Sequence, residues 1–120
     1  MTVQECYQAF GGNYEEVISR LRTDERVAKF LQKVLADGSY QLLCDSVASG
    51  NVDEAFRAAH TLKGVCGNLS ITRFGQSSSE LTEFLREKRV INDELQPLLA
   101  RVKEDYELTI NAIKQLPPLG

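Results

Sequence analysis

His60 is the only histidine among the 120 residues, and its neighbours are of types that could let it do chemistry with outside help. It lies in the run Ala59-His60-Thr61-Leu62-Lys63-Gly64, and a second glycine follows at Gly67. A neutral imidazole is a competent nucleophile and needs no neighbouring base to act as one near neutral pH. In a helix, Lys63 would set an ammonium one turn away, well placed to neutralise an anion attached to the ring. Each mid-helix glycine should cost about 0.5 to 1 kcal/mol relative to alanine, so two beside one histidine call for a compensating use. A helix surface stripped of side chains lets another protein reach the ring.

Helical spacing positions these residues. At about 100° per residue, Ala55, Ala59, Leu62, Cys66 and Leu69 cluster on one side of the helix, and His60 falls roughly 140° from their centre. The ring is therefore predicted to point outward. Gly64 lies one turn and Gly67 two turns beyond it on the same face, while Arg57 and Lys63 flank it at about 60° to either side. Mid-helix glycine also serves close helix packing or a kink. That use is weakened here, because both glycines share the face turned away from the apolar stripe. Phe56 stands near the edge of the histidine face, where a boundary core residue is the commoner use and apolar contact with a partner the other.

The rest of the chain reads as helices of the same kind. No proline occurs before Pro97, and apolar residues recur at three- and four-residue spacing with almost no alternation. Thr2 and Glu5 have capping-box spacing for a short helix through about Phe10, closed by Gly11-Gly12, and Asn13 with Glu16 repeats the signal. Thr23 is the next N-cap, ahead of the stripe Val27, Phe30, Leu31, Val34 and Leu35, with Asp37-Gly38 as the stop. Ser39 is expected to cap a helix carrying Leu42, Leu43 and Val47 to the Gly50-Asn51 turn. Asn51 or Asp53 starts the His60 helix, and Thr72 caps a following one with Phe74, Leu81, Phe84 and Leu85. The last helix spans about Asn92 to Leu116, with the stripe Leu95, Leu99, Val102, Tyr106, Ile110 and Ile113 and with Pro97 in its early turns.

The fold class is thus all-α. Short loops make sequence neighbours spatial neighbours, so the helices of about residues 39–116 are expected to form an antiparallel up-down-up-down four-helix bundle. Residues 1–120 form one domain, in which about 1–22 are an N-terminal extension and the short helices before Asp37 pack across an end or side of the bundle.

Composition excludes several functions. At 42% hydrophobic and 26% charged residues, the chain is an ordinary globular one with no apolar run near the roughly 20 residues of a membrane span. A net charge of -3 argues against nucleic acid as the main partner, since phosphate backbones need a basic footprint. Met1-Thr2-Val3-Gln4-Glu5 has no basic region leading into an apolar stretch, so a secretory signal is not expected, and Cys6, Cys44 and Cys66 are odd in number without C-x-x-C spacing, which suits the expectation of a reducing, cytoplasmic compartment. One histidine, with Arg57 where a Glu-x-x-His motif needs its glutamate, leaves a di-iron or haem bundle poorly supported. With no Walker-type loop, no kinase-like glycine loop and no evident carboxylate cluster for Mg²⁺, use of ATP by this chain alone is not expected.

The run His60-Thr61-Leu62-Lys63-Gly64, preceded by Ala58-Ala59 and followed by Asn68-Leu69, resembles the signature of histidine-containing phosphotransfer (HPt) domains. The resemblance extends from about Thr23 to Leu116 in helix order, with the H-x-L-K-G core as its highly specific part. It implies that His60 is phosphorylated, that Lys63 contacts the phosphoryl group and that Gly64 leaves room for a receiver domain. It further implies a phosphorelay role between aspartyl-phosphates of receiver domains in hybrid kinases or response regulators, with Mg²⁺ supplied by the receiver and no cofactor of the chain's own. Arg57, Gly67 and Phe56 are then candidate partner contacts, and a polar histidine face with a closed bundle makes a monomer the expectation. Two positions depart from the pattern: Ser70 stands where many members have glycine, and Thr82 where some have a glutamine near the phosphoryl group.

Two other readings share these residues. One is an HPt-shaped helical scaffold that binds receiver domains without transfer. The other is the dimerisation domain of a histidine kinase, ranked lower because Thr61 follows His60 where such domains resemble H-[ED] and sit beside an ATP-binding domain, which is not expected within these 120 residues.

Overall fold

The computed structural model describes residues 1–118, and among these there are seven helices and no strand. They are α1 (Val3–Phe10), α2 (Tyr14–Leu21), α3 (Asp24–Ala36), α4 (Ser39–Ser49), α5 (Val52–Asn68), α6 (Thr72–Lys88) and α7 (Leu95–Lys114). Among the described residues no helix is long and apolar enough to cross a membrane.

The N-terminal caps form as their residue types dictate. Thr2 and Glu5 make a reciprocal capping box on α1, and the side chains of Asn13, Thr23 and Asn51 accept backbone N–H bonds at the starts of α2, α3 and α5. Three starts differ from the sequence expectation. Ser39 is the first residue of α4 rather than its cap, because Asp37 Oδ1 takes the Ser39 N–H at 2.8 Å. Thr72 is the first residue of α6, with Ile71 in the cap position and the Thr72 hydroxyl donated back to the Ser70 carbonyl at 3.4 Å. Asn92 caps a local turn through Glu94 N–H at 3.0 Å, so α7 begins at Leu95, three residues later than its signal.

Helix α5 packs between α4 and α6, and α7 packs on α6. Helices α1 and α3 both lie on α7, and α2 bridges α1 and α3. The Tyr40 ring of α4 stacks on Tyr106 of α7 at 3.8 Å between centroids and 7° between planes, and Phe74 of α6 meets Tyr106 edge-on at 6.0 Å. These aromatic contacts join α4, α6 and α7 at one level of the core. Close approach of α5 and α6 depends on small residues: a Cβ at Gly75 would stand 3.1 Å from Cys66 Cβ.

The stripes are mostly buried as their spacing requires, including Leu95, Val102, Ile110 and Ile113 of α7 and Val27, Leu31 and Val34 of α3. Phe30 and Leu42 are corrections. Both are exposed, and Phe30 carries the Lys33 ammonium 4.9 Å from its ring centroid. Tyr7 of α1 is fully buried and donates its hydroxyl to the Leu69 carbonyl at 2.6 Å, which ties the N-terminal helix to the end of α5.

Candidate functional site

Helix α5 runs without a break from Val52 to Asn68, and it buries Ala55, Ala58, Ala59, Leu62 and Cys66. His60 is exposed on the opposite face, as the spacing predicts. Alanine dominates the buried side, so the backbone of α5 sits close to its neighbours and the histidine projects from a firmly seated helix.

Gly64 and Gly67 are both exposed, and a Cβ built on either would meet nothing within 4 Å. Neither glycine serves helix packing, and α5 is not interrupted at them. The stability given up at these two positions therefore creates bare backbone surface one and two turns beyond the imidazole.

Beside His60, the Phe56 ring stacks on the imidazole with centroids 5.8 Å apart and planes 17° from parallel. Phe56 is half-buried, so it is both a boundary core residue and a flat support for the histidine. The Arg86 guanidinium of α6 covers the Phe56 ring at 5.5 Å from its centroid. Lys63 Nζ lies 3.9 Å from Glu83 Oε1, and the same carboxylate oxygen meets Arg86 Nη1 at 3.1 Å. Two cations from two helices are thus joined through one glutamate, one of them over the ring that stacks on His60.

Arg57 is placed differently. Its guanidinium pairs with Glu54 at 3.0 Å, toward the start of α5, and the side chain is exposed. The Thr61 hydroxyl is donated to the Arg57 carbonyl at 2.9 Å and so is engaged with its own helix. Thr82 is fully buried and donates its hydroxyl to the Ser78 carbonyl at 2.7 Å, so it offers nothing to a group on His60. Glu83 and Arg86, the α6 residues that do contact the histidine helix through Lys63 and Phe56, were not singled out from the sequence. Their i,i+3 spacing beside buried Thr82 and Leu85 is the pattern that marks them as neighbours on the outer face.

Ser70 ends α5 in the left-handed region, φ 54°, where glycine is the least strained residue. Its buried hydroxyl is donated to Glu16 Oε1 at 2.7 Å and accepts from Arg20 Nη2. Arg20 also donates to the carbonyls of Gly67 at 3.2 Å and Asn68 at 2.9 Å. The last turn of the histidine helix is therefore capped by α2. Along the other flank, Leu21, Phe30, Lys33, Val34, Val65 and Asn68 line an open groove of about 410 Å³.

The exposed imidazole thus has cleared helix surface beside it and the Phe56 ring stacked on it. The Hpt domain family model matches residues 13–115, and the chain belongs to that family. The match begins ahead of Thr23, so it takes in α2 and its cap on α5. The chain matches no curated protein and no solved structure. Membership implies a histidine phosphotransfer role in phosphorelays, in which Hpt domains interact with receiver domains.

Proposed function

We propose that His60 is the phosphoacceptor, taking a phosphoryl group from an aspartyl-phosphate on one receiver domain and passing it to another. A ring nitrogen attacks phosphorus, the N–P bond forms as the P–O bond to the aspartyl carboxylate breaks, and that electron pair leaves with the carboxylate. The second ring nitrogen carries the proton. Passing the group on reverses the same bonds with a new carboxylate. Lys63 neutralises part of the charge on the equatorial oxygens, and the receiver's acidic pocket brings Mg²⁺ for the rest. Half-exposed Lys63 and exposed Arg57 and Arg86 complement such a pocket and raise the encounter rate.

The observation that carries this reading is the open space over Gly64 and Gly67. Substituting alanine would cost the fold nothing sterically, so the bare surface is explained by the approach of a partner to His60. Short loops and the pairwise packing of α4 through α7 support an antiparallel bundle, acting as a monomeric cytoplasmic domain of which α1 and α2 are the N-terminal part.

Mixed with a phosphorylated receiver domain and Mg²⁺, the chain is expected to gain one acid-labile, alkali-stable phosphoryl group, and His60→Gln is expected to gain none. Label that persists in His60→Gln overturns the assignment. Receiver binding without labelling of the wild-type chain favours the scaffold reading. Lys63→Ala should slow transfer or shorten the life of the phosphorylated form without abolishing either.

A further inference from the structure

We propose that Glu83 is the resting counter-ion of the site: it holds Lys63 and Arg86 beside the bare imidazole and is displaced from them when His60 is phosphorylated. This rests on the reading of His60 as phosphoacceptor. Glu83 then sets how tightly the chain keeps the phosphoryl group, and it favours giving the group away.

The geometry behind this is a single oxygen shared by two cations. Glu83 Oε1 lies 3.1 Å from Arg86 Nη1 and 3.9 Å from Lys63 Nζ. Arg86 covers the ring of Phe56, which itself stacks on His60. Lys63 shares the helix of His60 and follows it by three residues, within one turn. No other carboxylate pairs with Lys63 or Arg86 among the described residues.

Charge decides which anion the cations choose. The side chains of Lys63, Glu83 and Arg86 are 40%, 43% and 48% exposed, and pairs at that exposure contribute only about 0 to 1 kcal/mol. They exchange readily. A phosphoryl group brings a charge of about -1.5 to -2 and three acceptor oxygens, against the single charge of a carboxylate. It therefore wins both cations. Glu83 is left beside a dianion without its partners, and the like-charge repulsion raises the energy of the phosphorylated state. Only ion-pair partners change in this exchange, and no covalent bond is made or broken. A carrier that must surrender its cargo gains from that repulsion, whereas a site with two unopposed cations would retain the phosphoryl group.

The test compares wild type, Glu83→Gln and Glu83→Asp as full chains. Each is loaded either chemically with phosphoramidate or from a phosphorylated receiver with Mg²⁺. At low salt, Glu83→Gln is expected to shift the equilibrium partition of phosphate between receiver and chain toward the chain by about threefold, and to lengthen the life of the phosphohistidine by ³¹P NMR. The shift should shrink toward none at about 0.5 M salt, where exposed charges are screened. Glu83→Asp keeps the charge on a shorter stem and should fall between the two. Glu87→Gln, one turn further along α6, should change nothing. A folded Glu83→Gln chain that partitions like wild type, or releases phosphate more readily, overturns the role of Glu83 alone. A wild-type chain that takes no phosphoryl group from either source overturns the phosphoacceptor reading itself.

Discussion

Phe56 and His60 are stacked one helical turn apart on α5, their ring planes only 17° from parallel. A ring–ring contact of this kind is worth about 0.5 to 1.5 kcal/mol and restricts the imidazole to the orientation that keeps it. In-line transfer depends on orientation, so the stack acts on rate more than on stability. Phe56→Leu is expected to slow transfer from a phosphorylated receiver by about 3- to 10-fold, the equivalent of that contact. The helical circular-dichroism signal should be unchanged. Time-resolved labelling at saturating receiver checks it, and an unaltered rate would mean that Phe56 is only a boundary core residue.

The open space over Gly64 leads to an unusual pairing of effects. Because a Cβ there meets nothing within 4 Å, Gly64→Gln should relieve the helix of a glycine and raise the stability of the fold by about 0.5 to 1 kcal/mol. The same side chain would stand one turn from His60 and block the receiver, so transfer should be lost. Denaturant melts and phosphotransfer assays on one preparation decide it. A less stable Gly64→Gln chain would mean that the glycine serves packing after all.

The histidine face was legible in the sequence because it depends on a single helix, where 3.6-residue spacing alone separates Ala55, Ala59, Leu62 and Cys66 from His60, Gly64 and Gly67. The all-helical class and most helix ends were legible for the same reason, each set by a local cap such as Thr2 with Glu5 or by Asn51. Contacts between helices were not. Glu83 meets Lys63 and Arg86 covers Phe56 only because α6 packs on α5, and that register is set by the core as a whole. Thr82 matched the position of a glutamine in the family pattern, yet the structure buries it and ties its hydroxyl to the Ser78 carbonyl. Phe30 followed the α3 stripe but lies outside the core, since α3 rests on α7 and leaves its flank to the groove beside α5.

Burial of three weak acids predicts how the fold responds to alkali. Burial raises the Cys66 thiol from 9.0 to about 12, with Asp105 and Asp37 adding to it, and raises Cys6 from 9.0 to about 11. Tyr7 is also pushed up from 10.0, mainly by burial. In each case the folded state holds its proton at a pH where the unfolded chain has lost it. Their contribution is thus fully present below about pH 9 and is lost as pH climbs from 9 toward 12. Each group costs up to about 1.4 kcal/mol per pH unit in that window. Urea midpoints should be flat from pH 7 to 9 and then fall steeply. Cys66→Ala should soften the fall, and an unchanged slope in that variant would exclude the thiol as a cause.

Ser70 poses the opposite problem, a strained residue kept where glycine would be at ease. Its φ of 54° costs a side-chain-bearing residue about 1 kcal/mol, and its hydroxyl links Glu16 and Arg20 of α2 to the end of α5. Hydrogen bonds to charged groups contribute about 1.5 to 3 kcal/mol when sheltered, less here because Arg20 and Glu16 are half-exposed. Ser70→Ala keeps the strain and loses the bonds, so it should lower stability by about 1 to 2 kcal/mol. Ser70→Gly loses the bonds but relieves the strain, and should fall within about 1 kcal/mol of wild type. Arg20→Ala should resemble Ser70→Ala, because it also frees the carbonyls of Gly67 and Asn68. Amide hydrogen exchange gives the local readout: in Ser70→Ala and Arg20→Ala, protection should drop first at the last turn of α5, next to Gly67. If both variants keep wild-type protection there, α2 does not hold the end of the histidine helix, and the strain at Ser70 is offset by some other contact.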